Sequence, residues 1–459
     1  MALIEQIVIT FGFLKDQNMA LTELNNKKTI NAWAFFDWAN SAYALVISTA
    51  IFPGYFEEYT PKKIFLGPFE FSNSSLYSFA VSFSYIIIAM LSPLLSGIAD
   101  YSGRRKFFLK TFTLVGSLAC SALYFFKGEP QLWLGTSAFV LATISFAGSL
   151  VFYDSYLPLI VTEDRYNKVS AKGYTFGYIG SVILLLFILF MIQKPEWFGL
   201  SGGQTGARIG FLLVGVWWLG FSQYTFRHMP RDKKAYFTRH MIAHGYSEIK
   251  GAFDRVRKMP EIRNYLTAFF FYSAGLQTVI YLATIFAKKE LGFETAELIL
   301  VVLILQLVAI GGAYLFSAFA NRVGNKNSIL TMIVVWVGIC LGAYFTYDKI
   351  TFYIIAGCVG MVMGGIQSLS RASYSMLLPE KDHDTTSYFS FSDVVYKFSI
   401  VSGTFIFGLV DNITNNMRYS VLALACLFLA GFYFLWFTKS EKLNKRKFEE
   451  SPVPASIQA

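Results

Sequence analysis

Five ionisable side chains stand inside long apolar runs: Asp37, Asp154, Arg371, Asp393 and Lys397. A charge at the centre of such a run costs about 2.5–3.5 kcal/mol on insertion scales, so it persists only against water, a partner or a ligand. An acid in that setting can carry a proton, and an arginine offers a planar fork of donors for a carboxylate or phosphate. Helical spacing puts Trp33, Asp37, Asn40, Ser41, Ala44 and Ser48 on one face, too polar for lipid. Asp37 therefore reads as a proton carrier in a cavity or as a fixed carboxylate paired with a neighbouring helix. Gly360, Gly364, Gln367 and Arg371 form a second stripe, where Arg371 is either a substrate anchor or the partner of an acid near a gate. Asp393 and Lys397 are i,i+4 neighbours, a structural pair or one that opens as a gate when a ligand binds. Ser273, Gln277, Tyr281 and Thr284 make a further polar side, whereas Asp154, on a face with Ala147, Leu150, Val151 and Pro158, is expected at the cytoplasmic rim.

The elements that carry these groups are membrane spans. Of the 459 residues, 55% are hydrophobic and 15% charged, against about 25% charged in soluble proteins. Runs of roughly 20 apolar residues, enough to cross about 30 Å of hydrocarbon, recur at 32–54, 74–98, 106–126, 132–157, 170–192, 208–227, 264–287, 295–319, 328–347, 351–377, 386–410 and 418–438. These twelve predict an all-α membrane protein. Of the 39 Lys and Arg, 29 fall at the termini and even-numbered loops, nine on the other side, and Lys397 within a span. The positive-inside rule then places both termini in the cytoplasm and explains the net charge of +10 without nucleic acid.

The expected organisation is a cytoplasmic N-terminal extension at 1–29, a six-helix bundle at 30–226, a basic linker at 227–263, a second six-helix bundle at 264–438 and a cytoplasmic tail at 439–459. Residues 1–18 read as an upstream extension or a surface helix, with Met19 the native start. N-terminal mass spectrometry of the native protein tests this, and a chain beginning at residue 1 would refute it. His228, His240, His244 and His383 lie in loops, and the four cysteines in apolar runs have no metal-ligand spacing. No metal or cofactor is expected.

The two halves carry matching hairpins. Ser96-Gly-Ile-Ala-Asp-Tyr-Ser-Gly-Arg-Arg-Lys106 and Ser317-Ala-Phe-Ala-Asn-Arg-Val-Gly-Asn-Lys-Asn327 share Ser96/Ser317, Ala99/Ala320 and Gly103/Gly324. Duplication of a helical bundle is mostly a device of solute carriers.

Ser96-Gly-Ile-Ala-Asp-Tyr-Ser-Gly-Arg-Arg105 resembles the signature of the major facilitator superfamily, with Ser96 and Tyr101 departing from it. Phe36-Asp-Trp-Ala-Asn-Ser-Ala-Tyr43 resembles the hallmark of the branch that contains the yeast vacuolar amino-acid effluxer. Phe152-Tyr-Asp-Ser-Tyr-Leu-Pro158, Gly364-Gly-Ile-Gln-Ser-Leu-Ser-Arg371 and Ser392-Asp-Val-Val-Tyr-Lys397 support the same branch. The resemblance implies a central cavity among spans 1, 4, 7 and 10, and two pseudo-symmetric bundles working as a monomer. It implies a cytoplasmic gate in which Asp100 faces a helix N-terminus and Arg104 or Arg105 helps to close it. Gly103, Arg322 and Gly324 complete that gate.

On this reading Asn40, Tyr43, Gln277, Gln367 and Arg371 bind substrate, and Asp37 couples a proton. The expected function is secondary transport of a small polar solute, such as an amino acid or related zwitterion, across a bacterial inner membrane. With no nucleotide-binding loop, the energy must come from a gradient. A membrane transferase would need an interfacial cluster of acids, bases or metal ligands, which is absent from the sequence. A non-transporting sensor or scaffold would need more than a 37-residue loop and a 21-residue tail.

Overall fold

The structure, a computed structural model, describes residues 24–66, 69–232, 250–251, 253–379, 385–414, 416–439 and 441–444. The proposed extension at 1–18, His240, His244 and His383 lie outside the described residues, as do 233–249 of the linker and 445–459 of the tail.

The chain is almost wholly helical, and several of its helices start where a polar side chain takes up the first free N–H groups. Asn26 caps span 1, accepting from Lys28 and Thr29 at 2.9 and 3.4 Å. Asp348 and Asn416 do the same for spans 10 and 12, and Glu294 with Glu297 forms a capping box on span 8. Asp232, just beyond span 6, accepts from the N–H groups of Lys106 and Phe107 at the start of span 3, at 2.8 and 2.7 Å. Glycines reverse the chain between spans: Gly103 and Gly324, the pair shared by the two hairpins, have φ of 64° and 86°, a region that only glycine enters cheaply.

Spans 2 to 6 are Asn73–Ser102, Arg105–Ala122, Leu132–Asp154, Tyr166–Gln193 and Gly203–His228. Spans 7 to 12 are Pro260–Leu291, Thr295–Val323, Asn325–Tyr344, Lys349–Leu377, Thr385–Thr414 and Met417–Trp436. Ten of these are singly long and apolar enough to cross a membrane, and span 7 is an eleventh, bent by 60° between Tyr281 and Ile285. Span 1 differs from the plain helix expected: Lys27–Ala42 runs into a π-helical stretch, Tyr43–Ile51, and then Phe52–Tyr59. The Thr49 hydroxyl donates to the Ala44 carbonyl five residues back, at 2.8 Å. Such wide turns recur at functional sites. A short hairpin, β1 (Lys63–Leu66) against β2 (Phe69–Ser72), follows it; the sequence reading took this segment as a loop.

The packing repeats at an interval of six spans. Span 1 lies on 5 and 6 as 7 lies on 11 and 12, span 3 on 4 and 6 as 9 on 10 and 12, and span 2 on 4 as 8 on 10. The halves meet where span 2 packs on 11 and span 5 on 8 and 10. Met90, Ile354 and Phe405 point outward, 64–75% exposed, as a lipid-facing surface requires.

Glycines decide the closest approaches. A Cβ at Gly360 or Gly364 of span 10 would strike the Leu305 or Ala309 carbonyl of span 8, so these backbones touch. Gly173, Gly177 and Gly180 of span 5 lie against Asp37, Ser41 and Trp38 of span 1, in the same half. Gly364→Ala is expected to cost about 1–3 kcal/mol by overpacking and to lower the thermal midpoint of the detergent-purified protein. Gly357→Ala, which meets nothing within 4 Å, should leave it unchanged.

Candidate functional site

A cavity of about 320 Å³ lies between the halves, lined from spans 1, 2, 4, 5, 7, 8, 10 and 11. Its floor is an ion cluster built around Arg371. From span 10 its Nη1 lies 3.2 Å from Asp37 Oδ2 of span 1, and its Nε lies 3.3 Å from Asp154 Oδ1 at the end of span 4. Tyr153 donates its hydroxyl to Asp37 Oδ2 at 2.8 Å and accepts from Arg371 Nη1 at 3.3 Å. The guanidinium is boxed by rings, its carbon 4.0 Å from the Tyr174 centroid and 5.2 and 5.3 Å from those of Trp33 and Tyr153. Desolvated cation–π contacts of this kind are worth up to about 2 kcal/mol. Both Arg371 and Asp37 are buried, so each depends on the other: removing one partner of a buried pair costs about 3–5 kcal/mol.

Other expected residues divide between cavity and core. Asn40 reaches the cavity and donates to Ser149 at 3.3 Å. Gln277 also lines it, and Gln367 accepts from Tyr178 of span 5 at 2.7 Å. Tyr43 does not: it turns into the core of the first half, against Phe146 and Trp218, with its hydroxyl 2.7 Å from Thr143. The widening of span 1 begins at this residue. Asp154 is corrected in the other direction, from the rim to the cavity floor, because span 4 ends there and aims its last side chain inward. Asp393 and Lys397 are ion-paired on the cavity wall, and Ser92 of span 2 donates to Asp393 at 3.4 Å.

On the face that carries the described chain ends, contacts between the halves close the molecule. Asp100 accepts from the Thr386 and Ser387 N–H groups at 3.2 and 2.7 Å, at the start of span 11. Arg105 holds the same carboxylate at 2.7 Å and donates to the Thr386 hydroxyl at 2.6 Å. This is the arrangement the resemblance implied. Arg104 lies over the Phe107 ring, and Arg322 is exposed at the surface. In the second hairpin the closing residue is Asn325, which exchanges amide hydrogen bonds with Asn167 of span 5 at 2.6 and 2.8 Å. Nearby, the Ser170 hydroxyl donates to the Ser368 carbonyl at 2.7 Å.

Residues 25–447 match the family model described as vacuole effluxer Atg22 like. The chain belongs to that family. Among relatives of this Atg22-like chain, the uncharacterized MFS-type transporter YxiO of Bacillus subtilis is 28% identical, over 93% of this chain and 98% of the relative. Autophagy-related protein 22 of Saccharomyces cerevisiae is 21% identical, over 90% and 92%. Solved structures share the fold: the major facilitator superfamily transporter FucP in its outward conformation superposes with a TM-score of 0.67 at 14% identity, covering 91% of this chain and 99% of that one. The human organic anion transporter MFSD10 gives 0.67 at 10%, covering 89% and 99%. The Atg22-like chain thus has the major facilitator fold, in a branch of transporters.

The sequence reading of this Atg22-like chain missed Tyr153, Tyr174 and the Asn167–Asn325 pair. Tyr153 was within reach, since it sits beside Asp154 in a quoted motif. Asn325 stands at the hairpin position matching Arg104, but its partner 158 residues away left no local signal. Neutralising Asp100 should loosen the closed face. Charge–dipole attraction at a helix end is worth about 0.3–2 kcal/mol, so Asp100→Asn should shift the closed-to-open ratio about two- to thirtyfold. With native cysteines replaced, Ser181→Cys on the cavity wall should then be alkylated faster by an impermeant maleimide added at that face. An unchanged rate would show that the latch does not hold the closed state.

Proposed function

We propose that the protein is a secondary carrier of a small polar solute, an amino acid or related zwitterion, working by alternating access as a monomer in the cell inner membrane. The halves are the two bundles at 30–226 and 264–438, with the basic linker between them and both termini in the cytoplasm. The excess of Lys and Arg on that face supports this orientation.

One observation carries the choice of solute. Arg371 Nε and Asp154 Oδ1 lie 3.3 Å apart, yet each is buried with no hydrogen-bond partner among the described residues. A guanidinium donor and a carboxyl oxygen stand side by side there with their hydrogen-bonding capacity left open, a costly arrangement in a low-dielectric site. A zwitterion entering between them turns one misaligned pair into two aligned, charge-assisted ones: carboxylate on Arg371, ammonium on the acid. Gln367, Gln277 and Asn40 supply neutral contacts around it. The coupling proton belongs to the same cluster, where the sequence reading assigned it to Asp37.

Because Arg371 joins span 10 to spans 1 and 4, a solute that engages it also engages the strut between the halves, which gives binding a route to conformational change. The family model is named for a vacuole effluxer. Efflux from a vacuole delivers solute to the cytoplasm, and the same sense across a cell membrane is uptake.

The test is counterflow in proteoliposomes loaded with mixed amino acids. Labelled members of one chemical class should accumulate in exchange. Arg371→Lys, which keeps the charge but loses the planar fork, should lower kcat/KM at least tenfold. Absence of counterflow by every amino acid, in folded and correctly inserted protein, would reject the zwitterion.

A further inference from the structure

The charges on the cavity wall do not balance. Among the described residues that line it are three carboxylates, Asp37, Asp154 and Asp393, and two cations, Arg371 and Lys397. Lys397 is committed to Asp393 on its own helix. Arg371 is then shared by Asp37 and Asp154. With both acids ionised, one negative charge has no cation of its own in a largely desolvated site, a state that proteins relieve by taking up a proton or a cationic ligand.

Geometry separates the two acids. Asp37 is enclosed, its side chain 7% exposed, and its Oδ2 accepts from both Tyr153 and Arg371. Gly173 presses so close that a Cβ there would lie 2.6 Å from the same oxygen. The Oδ2 of that carboxylate is thus taken up by two donors and hemmed in by the neighbouring backbone. Asp154 keeps 27% of its side chain open, and its Oδ1 lacks any hydrogen bond among the described residues. It is also the last residue of span 4, where unpaired helix carbonyls oppose a negative charge. The ionisable groups facing it are Asp37 of span 1, Tyr174 of span 5, Arg371 of span 10 and Asp393 of span 11, beside its own neighbour Tyr153. Arg371 is the single cation among them, and its Nη1 is already given to Asp37 and to the Tyr153 hydroxyl. The unpartnered Nε of Arg371, on a side chain only 6% exposed, points to this same spot.

We propose that Asp154, rather than Asp37, is the exchangeable carboxylate of the cavity, holding a proton when the cavity is empty and the ammonium group of the solute when it is loaded. The ammonium half rests on the zwitterion reading; the proton half does not. On loading, the carboxylic O–H of Asp154 breaks, its proton leaves to cavity water, and an ammonium N–H donates to the freed carboxylate; the ammonium replaces the proton's positive charge at Asp154, while the solute's carboxylate brings one negative charge to Arg371. One carboxylate cannot hold both cations. Proton and solute therefore travel in opposite directions, and the protein is an exchanger.

The test begins without any solute. In pH-difference infrared spectra of the purified full chain, a reversible carboxyl C=O signal is expected in the wild type, at an undisplaced frequency in Asp37→Glu, and is lost in Asp154→Asn. Asp154→Glu, which serves should the asparagine variant fold poorly, is expected to keep the signal at a displaced frequency. A signal displaced in Asp37→Glu, kept in Asp154→Asn or undisplaced in Asp154→Glu overturns the assignment. The second arm uses proteoliposomes and labelled mixed amino acids. Acid inside should drive accumulation in the wild type, and acid outside should slow it. Stimulation by outside acid overturns exchange in favour of symport. No accumulation under either gradient also overturns exchange, and counterflow at equal pH then reads whether the zwitterion has failed with it.

Discussion

A guanidinium buried between two bodies that must move apart sets the terms for the rest of this structure. Arg371 can be kept out of water only by acids and rings, and the chain supplies them from the opposite half: Asp37, Tyr153 and Asp154, with Trp33 and Tyr174 stacked around. The arginine is thus solvated by its counterpart bundle. Separating the halves exposes that charge to water or hands it to a ligand, so the energy of the conformational change and the energy of binding are written in the same few contacts.

Around that strut the packing is of two kinds. Within each half, glycines let helix backbones touch, as where span 10 meets span 8 and span 5 meets span 1. Contacts of that sort are dense and lock helices into one body. Between the halves the contacts named above are mostly polar and few: a carboxylate on a helix start, paired amides, a serine on a carbonyl, a tyrosine on Gln367. Polar contacts can be exchanged for water at small net cost. The chain places its tight joints where it must stay rigid and its replaceable ones where it must part.

Much of this was legible from the residues. Apolar runs gave the spans, Lys and Arg gave an orientation, and the offset hairpins gave the doubling. The place of Asp100 at the start of span 11 was implied by a motif, and the cavity positions of Asn40, Gln277 and Gln367 by helical stripes. Tyr43 sits on the same motif as Asp37 but not on its helical stripe: a period of 3.6 already turns it away from the face of Asp37, Asn40, Ser41, Ala44 and Ser48, which does line the cavity. Asp154 was judged by the apolar residues of its own helix, whereas its place is set by where the helix ends and by an arginine more than two hundred residues away. Arg371 was left between two readings because one sequence cannot say which acid it meets.

The basic face is held by two seams of unlike chemistry. Where span 2 meets span 11 the seam is ionic, Asp100 against Arg105 and a helix start. Where span 5 meets the second hairpin, it is a pair of neutral amides. Ions and protons act on the first and leave the second untouched. The two sides of the closure therefore have no common trigger. A change in charge acts on one edge of the face while the amide pair at the other keeps its hydrogen bonds.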